Sequence, residues 1–245
     1  MDAITVRFYA ELNDHLPEEE RFRPLERSIA TRRSVKDLIE SCGVPHTEVE
    51  LIVVDGESVG FDRLVGPGDR VAVYPVFEAF DVSGELRLRE APLRDSRFVL
   101  DVHLGSLARY LRMLGFDAAL GPVDDAGLAR ISAAEGRILL TRDRGLLMRG
   151  SVTHGYWVRE TGGRRQIAEI VRRFDLARAV RPFTRCMACN GALAEAAKAE
   201  VAAAVPERVA AAHREFRRCP GCGRIYWEGT HHQRMRRWIA ELTGR

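Results

Sequence analysis

Two Cys-x-x-Cys pairs near the end of the chain constrain its fold more than any other feature of the sequence. Cys186 and Cys189 form the first pair, Cys219 and Cys222 form the second, and 29 residues separate the two pairs. Four thiolates in this pattern can close tetrahedrally around one Zn²⁺, with Zn–S distances of about 2.3 Å. The separation exceeds the usual spacing, so the alanine-rich stretch between the pairs has to loop out as helix. The pattern therefore predicts a structural zinc site.

The placement of the cysteines favours metal binding over disulfides or reactive thiols. Four of the five cysteines lie within residues 186–222, and the N-terminal sequence does not have the pattern of a secretory signal. No apolar stretch approaches the ~20 residues needed to span a bilayer. We therefore expect a cytoplasmic protein with no membrane partner, in which the thiols stay reduced. A closed four-thiolate site has no open position for chemistry, so the zinc is expected to organise the fold.

Charge is distributed unevenly along the chain. Residues 1–80 carry 9 basic and 16 acidic residues, a net charge of −7, whereas the remainder carries 29 and 19, a net charge of +10. An acidic segment joined to a basic one is typical of a protein that binds a polyanion with its basic part. A solvated, arginine-rich surface would have the same composition, so charge alone leaves both interpretations open.

Residues 1–80 have the pattern of a small α+β domain. Ile4, Val6 and Phe8 alternate with polar residues, as in a half-buried strand. A helix is expected to begin after Ser34 and to end at Gly43, and the apolar runs in ELIVVDG and GPGDRVAVYPV predict two further strands. The sequences VRFYAEL and GPGDRVAVYPVFEAF resemble the ubiquitin-like β-grasp sulfur carriers related to ThiS and MoaD.

The end of this segment departs from the sulfur carriers that it resembles. Those carriers end in a free Gly-Gly whose carboxylate is activated, whereas the matching position here reads Glu78-Ala79-Phe80 and the chain continues. A sulfur-carrier role is therefore not expected. A docking or structural role fits better, with a protein partner as one possibility.

Beyond a polar linker predicted at 81–96, strand-like runs alternate with helical patterns. FVL, RILL and HGYWV read as strands, and LGSLARYLRMLGF, DDAGLARISAAEG and GGRRQIAEIVRRF read as helices. Strands that alternate with helices indicate a parallel sheet built from βαβ units. The chain is thus predicted to be an α/β protein in three parts.

Carboxylates occur at three of the predicted transitions between strand and helix. Asp101 ends the first strand, Asp143 lies two residues past the end of another, and Asp125, with Asp124 beside it, begins a helix. Ligands of parallel α/β sheets bind at the carboxyl ends of the strands, and three converging acids repel one another unless a cation offsets their charge. Mg²⁺ and Mn²⁺ prefer such oxygen ligands. Singly, each acid could instead be a strand terminus, a helix cap or the ion-pair partner of a neighbouring arginine.

The order of these motifs resembles a known nuclease family. DAGLARISAAEGRILLTRD is similar to the D-x-x-I-A-x-x-A…G…L-(V/L)-T-x-D signature of PIN nucleases, and Asp101 at the end of FVLD matches their first acid. FVLDVHLGSLARYLRMLGFD, LLTRDR, RCMACNG and CPGCGRIYW together resemble the Mut-seven C-terminal RNase domain family, a PIN-like domain with a zinc ribbon. Versions of that family are fused to an N-terminal ubiquitin-like domain.

This resemblance implies a metal-dependent ribonuclease. In it, Asp101, Asp125 and Asp143 hold Mg²⁺ or Mn²⁺, and water attacks an RNA phosphodiester. It also implies the division 1–80 for the ubiquitin-like β-grasp domain, 81–96 for the linker, 97–180 for the PIN-like RNase domain, and 181–245 for the zinc ribbon and C-terminal helix.

One departure from the PIN pattern concerns the number of acids. Many PIN nucleases carry a further acid on the helix after the first strand, and here the region 102–123 offers only Asp117. Asp124 and Glu160 are the two possible substitutes. If neither serves, the alternative is a non-catalytic RNA-binding protein with a degenerate core, and a third interpretation is a protein-interaction adaptor that acts through the β-grasp domain.

Three arginines are predicted to contact RNA. Arg109 and Arg112 are three positions apart on the first helix of the RNase segment, and the motif L-A-R-x-L-R matches the family. Arg142 adjoins Asp143. Guanidinium groups suit bidentate contact with phosphate oxygens. The structural alternative for the helix pair is a solvated face whose long side chains cover apolar surface.

Overall fold

The structure is a computed structural model that describes residues 3–75, 96–121 and 124–244. The strands in chain order are β1 (Ala3–Phe8), β2 (Leu25–Ser28), β3 (Arg33–Ser34), β4 (Val49–Val54), β5 (Glu57–Val59), β6 (Leu64–Val65), β7 (Arg70–Pro75), β8 (Phe98–Leu100), β9 (Ala118–Leu120), β10 (Ile138–Thr141), β11 (Gly155–Trp157), β12 (Ala194–Ala196), β13 (Phe216–Arg218) and β14 (Ile225–Trp227). The α-helices are α1 (Val35–Ser41), α2 (Gly105–Met113), α3 (Asp125–Glu135), α4 (Arg144–Leu147), α5 (Gly163–Arg173), α6 (Lys198–Val201), α7 (Glu207–Ala212) and α8 (Thr230–Thr243). Short 3-10 helices cover Ala10–His15, Glu18–Glu20, His46–Glu48, Val102–Leu104, Leu176–Ala179 and Ala202–Ala204.

The chain forms two compact units. The first contains residues 1–95 together with 132–157, and the second contains 96–131 together with 158–245. Glu78–Phe80 and the predicted linker, apart from its last residue, lie outside the described residues. The domain boundaries proposed from the sequence stay a prediction.

The N-terminal part of the first unit is a five-stranded mixed sheet with the order β2-β1-β7-β4-β5. β1 runs parallel to β7, whereas the other neighbouring strands are antiparallel. Ile4, Val6 and Phe8 of β1 are almost completely buried, in the same core as Leu38 and Ile39 of α1. The alternation of apolar and polar residues in β1 thus places every second side chain in the core, as predicted.

Helix α1 begins and ends where its sequence predicted. The hydroxyl of Ser34 accepts a hydrogen bond of 3.1 Å from the backbone N–H of Asp37, which satisfies one donor of the first turn. Gly43, just past the helix, has a φ of +86°, the left-handed conformation in which glycine commonly ends helices.

The first unit also contains two parallel strands from the RNase segment. β10 and β11 pair in register, with Thr141 opposite Trp157, and all four residues of β10 are buried. Helix α4 follows β10 after two residues. A strand buried throughout its length is expected in a parallel sheet covered on both faces.

The second unit begins with another parallel pair. β8 and β9 are joined by α2, which buries Leu107, Ala108 and Leu111 and packs against α5. The predicted mixture of an N-terminal sheet and a C-terminal region of parallel strands with helices is therefore confirmed at this level.

A small antiparallel sheet with the order β12-β13-β14 follows, and α8 ends the described chain. Helices α6 and α7 lie between β12 and β13, where the alanine-rich stretch was expected to loop out. Among the helices of the described segments, none combines the length and apolarity that crossing a membrane requires.

Candidate metal centre and nucleic-acid interface

The four cysteines of the paired motifs meet in one cluster. Their Sγ atoms all lie within 4.8 Å of one another, with Cys186 3.5 Å from Cys222 and Cys189 3.3 Å from Cys219. A disulfide would require about 2.05 Å. Four sulfurs in a tetrahedron around zinc, each at about 2.3 Å, are separated by about 3.8 Å. The spacing is therefore compatible with a zinc ion, and none of these thiols is joined in a disulfide in this structure.

Two equivalent turns, which we call knuckles, present the thiols. In the first (186–191), the carbonyl of Cys186 accepts a hydrogen bond from the N–H of Asn190, and in the second (219–224) the carbonyl of Cys219 accepts one from Gly223, each at 2.9 Å. Asn190 and Gly223 have φ angles of +71° and +74°. Both residue types tolerate the left-handed conformation, so each knuckle has a suitable residue four positions after its first cysteine.

The electrostatics of the cluster favour a bound cation. Burial raises the pKa of Cys186, but hydrogen bonds from the Tyr226 hydroxyl, at 3.1 Å, and from the backbone N–H groups of Cys189 and Ala188 outweigh burial and lower it to about 6. At Cys189 the backbone N–H of Gly191 lowers the pKa, but the three neighbouring thiols of Cys219, Cys222 and Cys186, together with burial, raise it to about 12. Several thiolates therefore do not coexist easily in the cluster unless a positive ion offsets their charge.

The first knuckle is attached to the parallel strands of its unit by a buried arginine. Arg112 of α2 is only 4% exposed. Its Nε donates to the carbonyl of Ala118 at 2.8 Å, and its Nη1 donates to the carbonyls of Met187 at 3.2 Å and Ala188 at 2.8 Å. Burial lowers the pKa of this guanidinium. With its donors directed at backbone carbonyls, Arg112 links α2 and β9 to the knuckle, which corrects the expectation of a phosphate contact at this position.

A second set of polar contacts joins the same two parts of the unit. The side-chain amide of Asn190 donates to Asp117 Oδ1 at 2.7 Å, and its oxygen accepts from the N–H of Ala118 at 3.0 Å. Arg185 lies 3.5 Å from the other oxygen of Asp117 and donates to the carbonyl of Asn190 at 2.9 Å. Asp117 is the one acid that the sequence offers between 102 and 123, and both of its carboxylate oxygens contact residues of the first knuckle or the residue before it. The sequence did not identify Asn190 or Arg185, and only the position of Asn190 after Cys186 could have signalled its role.

Two of the predicted metal-binding acids lie in the second unit. Asp101 follows β8, and its Oδ1 accepts a hydrogen bond of 3.0 Å from the N–H of His103. Asp124 Oδ1 accepts one of 2.7 Å from the N–H of Gly127, which caps α3, and Asp125 is the first residue of that helix. Of the two adjacent acids, Asp124 therefore has the capping role.

The third acid, Asp143, lies in the first unit between β10 and α4. Its Oδ1 accepts a hydrogen bond of 2.8 Å from the N–H of Gly145, and its own N–H donates to Thr141 Oγ1 at 3.0 Å. Asp143 is exposed. Its interpretation as an ion-pair partner of Arg142 or Arg144 stays a prediction. Because the three acids are divided between the two units, their convergence stays a prediction.

The remaining predicted residues lie at the surface. Arg109 and Arg142 are exposed. Glu160 Oε2 accepts a hydrogen bond of 3.0 Å from Arg165, and the two side chains are 45% and 67% exposed. Such exposed ion pairs contribute little to stability and open readily. A role for Glu160 as an additional acid stays a prediction.

Comparison with known families agrees with the architecture. The chain combines an N-terminal mixed sheet, parallel strands with helices, and a four-cysteine cluster, which define a mixed α/β protein with a candidate metal centre. A family model described as the Mut7-C RNAse domain matches residues 96–239, and one described as Mut7-C ubiquitin matches residues 1–81. The chain therefore belongs to the Mut7-C RNAse domain family, which confirms the resemblance read from its motifs. Searches among curated proteins and among solved structures each returned no match.

Proposed function

We propose that this protein is a metal-dependent ribonuclease that hydrolyses RNA phosphodiesters in the cytoplasm. The observation that carries the proposal is the match of residues 96–239 to the Mut7-C RNAse domain. In the proposed site, Asp101, Asp125 and Asp143 hold Mg²⁺ or Mn²⁺, for which carboxylate oxygens are suitable ligands. Such an ion, when bound, supplies an activated water and stabilises charge on the leaving oxygen.

The local setting of the acids supports this assignment. Asp101 and Asp143 each follow a strand of a parallel pair, and Asp125 begins a helix. The backbone N–H of His103 donates to Asp101, and that of Gly145 donates to Asp143. These hydrogen bonds restrict the orientation of both carboxylates, as expected of metal ligands.

Two exposed arginines are the proposed RNA contacts. Arg109 lies on the surface of α2, and Arg142 lies directly before Asp143. Their guanidinium groups can bind phosphate oxygens and orient the substrate without reading its sequence. The cysteine cluster has the proposed role of a structural zinc site, because four thiolates leave the metal no open position.

A second candidate function is RNA binding without cleavage. The observation in its favour is that Asp117 accepts a hydrogen bond from Asn190 and lies beside Arg185. Asp117 is the sole acid of the region 102–123, and these contacts keep its carboxylate at the first knuckle rather than at a metal site. Asp124 caps α3 and Glu160 pairs with Arg165, so neither is an obvious replacement.

The experiment that separates the two functions is cleavage of labelled single-stranded and hairpin RNAs by the purified protein with Mg²⁺, with Mn²⁺ or with EDTA. Asp143→Asn is the test variant, because asparagine caps helices as well as aspartate does and so retains the hydrogen bond to Gly145. Asp175→Asn is the matched control, since Asp175 is exposed and has a left-handed φ of +44° that asparagine tolerates.

Metal-dependent cleavage that is lost in Asp143→Asn and retained in Asp175→Asn would establish the nuclease. If the folded, zinc-loaded protein retains RNA at low salt but cleaves none under any of these conditions, the binding function replaces it.

A further inference from the structure

A buried carboxylate of the ubiquitin-like domain contacts a strand of the RNase segment. Glu48 is 0% exposed, and its Oε1 accepts a hydrogen bond of 2.7 Å from the backbone N–H of Trp157, the last residue of β11. Its Oε2 lies 3.0 Å from Nε2 of His15, whose side chain is equally buried. Burial of a carboxylate costs several kcal/mol unless hydrogen bonds and charges compensate. Both oxygens of Glu48 are used in this way.

Trp157 transmits this contact to the residue before Asp143. Its backbone pairs with Thr141, the last residue of β10, and its indole Nε1 donates a hydrogen bond of 3.2 Å to the carbonyl of Arg142. Glu48 thus holds the backbone of Trp157, and Trp157 holds the backbone of the Asp143 loop, by which we mean residues 142–144.

The ubiquitin-like domain also contacts the residue after Asp143. Arg144 Nη1 donates a hydrogen bond of 2.8 Å to the carbonyl of His15, and its guanidinium lies over the ring of Trp157 at 5.4 Å. The ring of His15 lies 5.0 Å from the same indole. Asp143 is therefore bracketed by two residues, and each is held directly or indirectly by His15 and Glu48.

A third contact supports the same face of the ubiquitin-like domain. His46 Nε2 lies 2.9 Å from the carbonyl of Val152, in the segment that leads to β11. His46, Glu48 and His15 are all buried. Two of these side chains, His46 and Glu48, bond to residues 152–157, and His15 bonds to Glu48. Buried polar groups paired in this way are characteristic of a built interface, since each would be costly to bury without its partner.

We infer that Glu48 and His15 are positioning residues of the ribonuclease and that the ubiquitin-like domain acts in cis, by fixing the Asp143 loop, rather than as a free adaptor. This rests on the proposed role of Asp143 as a metal ligand. The side chains of the loop are exposed, and a displacement of about 1 Å in a metal ligand is enough to reduce turnover by one or two orders of magnitude.

The test compares two substitutions of Glu48 in the full chain. Glu48→Ala removes the acceptor of the Trp157 N–H, whereas Glu48→Gln keeps an oxygen at that position. The matched control is Glu57→Ala, which removes the same charge from an exposed position in β5 of the same domain. The measurements are amide hydrogen exchange over residues 142–145 and 155–158, and kcat and KM for cleavage of a labelled RNA.

We expect Glu48→Ala to accelerate exchange in both segments by about tenfold or more and to lower kcat by about tenfold, with little change in KM. Glu48→Gln should restore most of the protection and of kcat, and Glu57→Ala should match the wild type. A general loss of stability would lower the active fraction without this selective rescue or this pattern of exchange.

Arg144→Met provides a second test if Glu48→Ala does not fold. This substitution removes the hydrogen bond to the carbonyl of His15 by changing an exposed side chain, so the buried core of the domain is left intact. The expected result is faster exchange over 142–145 and weaker binding of Mn²⁺ in the absence of RNA. Wild-type exchange and kcat in Glu48→Ala, or wild-type exchange and Mn²⁺ binding in Arg144→Met, would overturn the inference. If either variant exchanges faster but the wild-type protein cleaves no RNA, the proposed nuclease function is wrong, whereas the structural contact between the ubiquitin-like domain and the Asp143 loop is confirmed.

Discussion

The guanidinium of Arg112 donates a hydrogen bond of 2.8 Å to the carbonyl oxygen of Ala188, 76 positions further along the chain. The same group also reaches the carbonyls of Ala118 and Met187. One buried side chain thereby joins α2, β9 and the first knuckle. The cysteine cluster and the parallel strands of the second unit are therefore expected to fold cooperatively.

This role predicts a large loss of stability in Arg112→Met. The substitution leaves three carbonyls without their donor, and we expect the free energy of unfolding to fall by about 2–4 kcal/mol. Urea denaturation followed by circular dichroism measures this loss, and zinc content per chain should fall with it. Arg109→Met, three residues earlier on the same helix and exposed, should stay within about 0.5 kcal/mol of the wild type. Equal effects of the two substitutions would contradict the structural role of Arg112.

Arg109, the exposed member of this pair, is predicted to affect RNA binding rather than stability. If Arg109 contacts a phosphate, Arg109→Met should weaken RNA binding uniformly across sequences and reduce the slope of log K against log salt by about 1. Fluorescence anisotropy with a labelled RNA and Asp143→Asn protein, from 50 to 300 mM salt, measures both quantities. Arg23→Met, an equal change of charge at an exposed position in the acidic segment, is the control. An unchanged salt slope in Arg109→Met would remove this residue from the interface.

The cysteine cluster predicts a stoichiometry of one zinc ion. Elemental analysis of the purified wild-type chain should find about one zinc per molecule, and Cys219→Ser should retain well under half of that. Because the binding energy of structural zinc is also folding energy, the variant should unfold at lower urea concentration. The Cys42→Ser variant should have the same zinc content as the wild type, since Cys42 lies in the core of the N-terminal sheet and not in the cysteine cluster. A full zinc complement in Cys219→Ser would exclude a four-thiolate site.

His232 on α8 predicts a local dependence of stability on pH. Burial lowers the pKa of His232, as do Arg236 and Arg217, and Glu228 only partly opposes them. The ring also packs on Phe183, with the centroids 4.0 Å apart. The unfolded chain therefore takes up this proton at a higher pH than the folded chain, so the contribution is complete above about pH 6.5 and is lost as the pH falls below it.

Urea unfolding at pH 7.5, 6.5 and 5.5 tests this expectation. The wild type should lose more stability on acidification than His232→Gln, in which the titrating group is absent. His231→Gln changes the neighbouring exposed histidine and should follow the wild type. If His232→Gln and the wild type have the same pH dependence, the packing of this ring does not govern the titration.

Local patterns were sufficient to predict most elements of the fold. The alternation in β1, the cap at Ser34 and the stop at Gly43 were read correctly because each depends on residues within one turn or one strand. The cysteine pairs were equally informative, and the structure brings their four thiols together in one cluster that could hold a metal ion. The acids after β8 and β10 were also located correctly along the chain, but their convergence on one metal is a matter of tertiary structure.

Arg109 and Arg112 show where such patterns cease to be informative. In the sequence they are equivalent, three positions apart beside the same apolar stripe, yet one is exposed and the other is bonded to a knuckle more than 70 positions away. Glu48 is a second example: no local pattern singled it out, yet it is completely buried and hydrogen-bonded to the backbone of Trp157.

Sequence by itself thus determined the principal strands and helices, the four cysteines of the candidate metal centre and the family of this protein. Tertiary structure alone decided which charged side chains are structural, namely Arg112, Asp117 and Glu48. The reason is physical: periodicity and capping depend on neighbours in the chain, whereas the burial of a charge depends on partners that folding brings from distant positions.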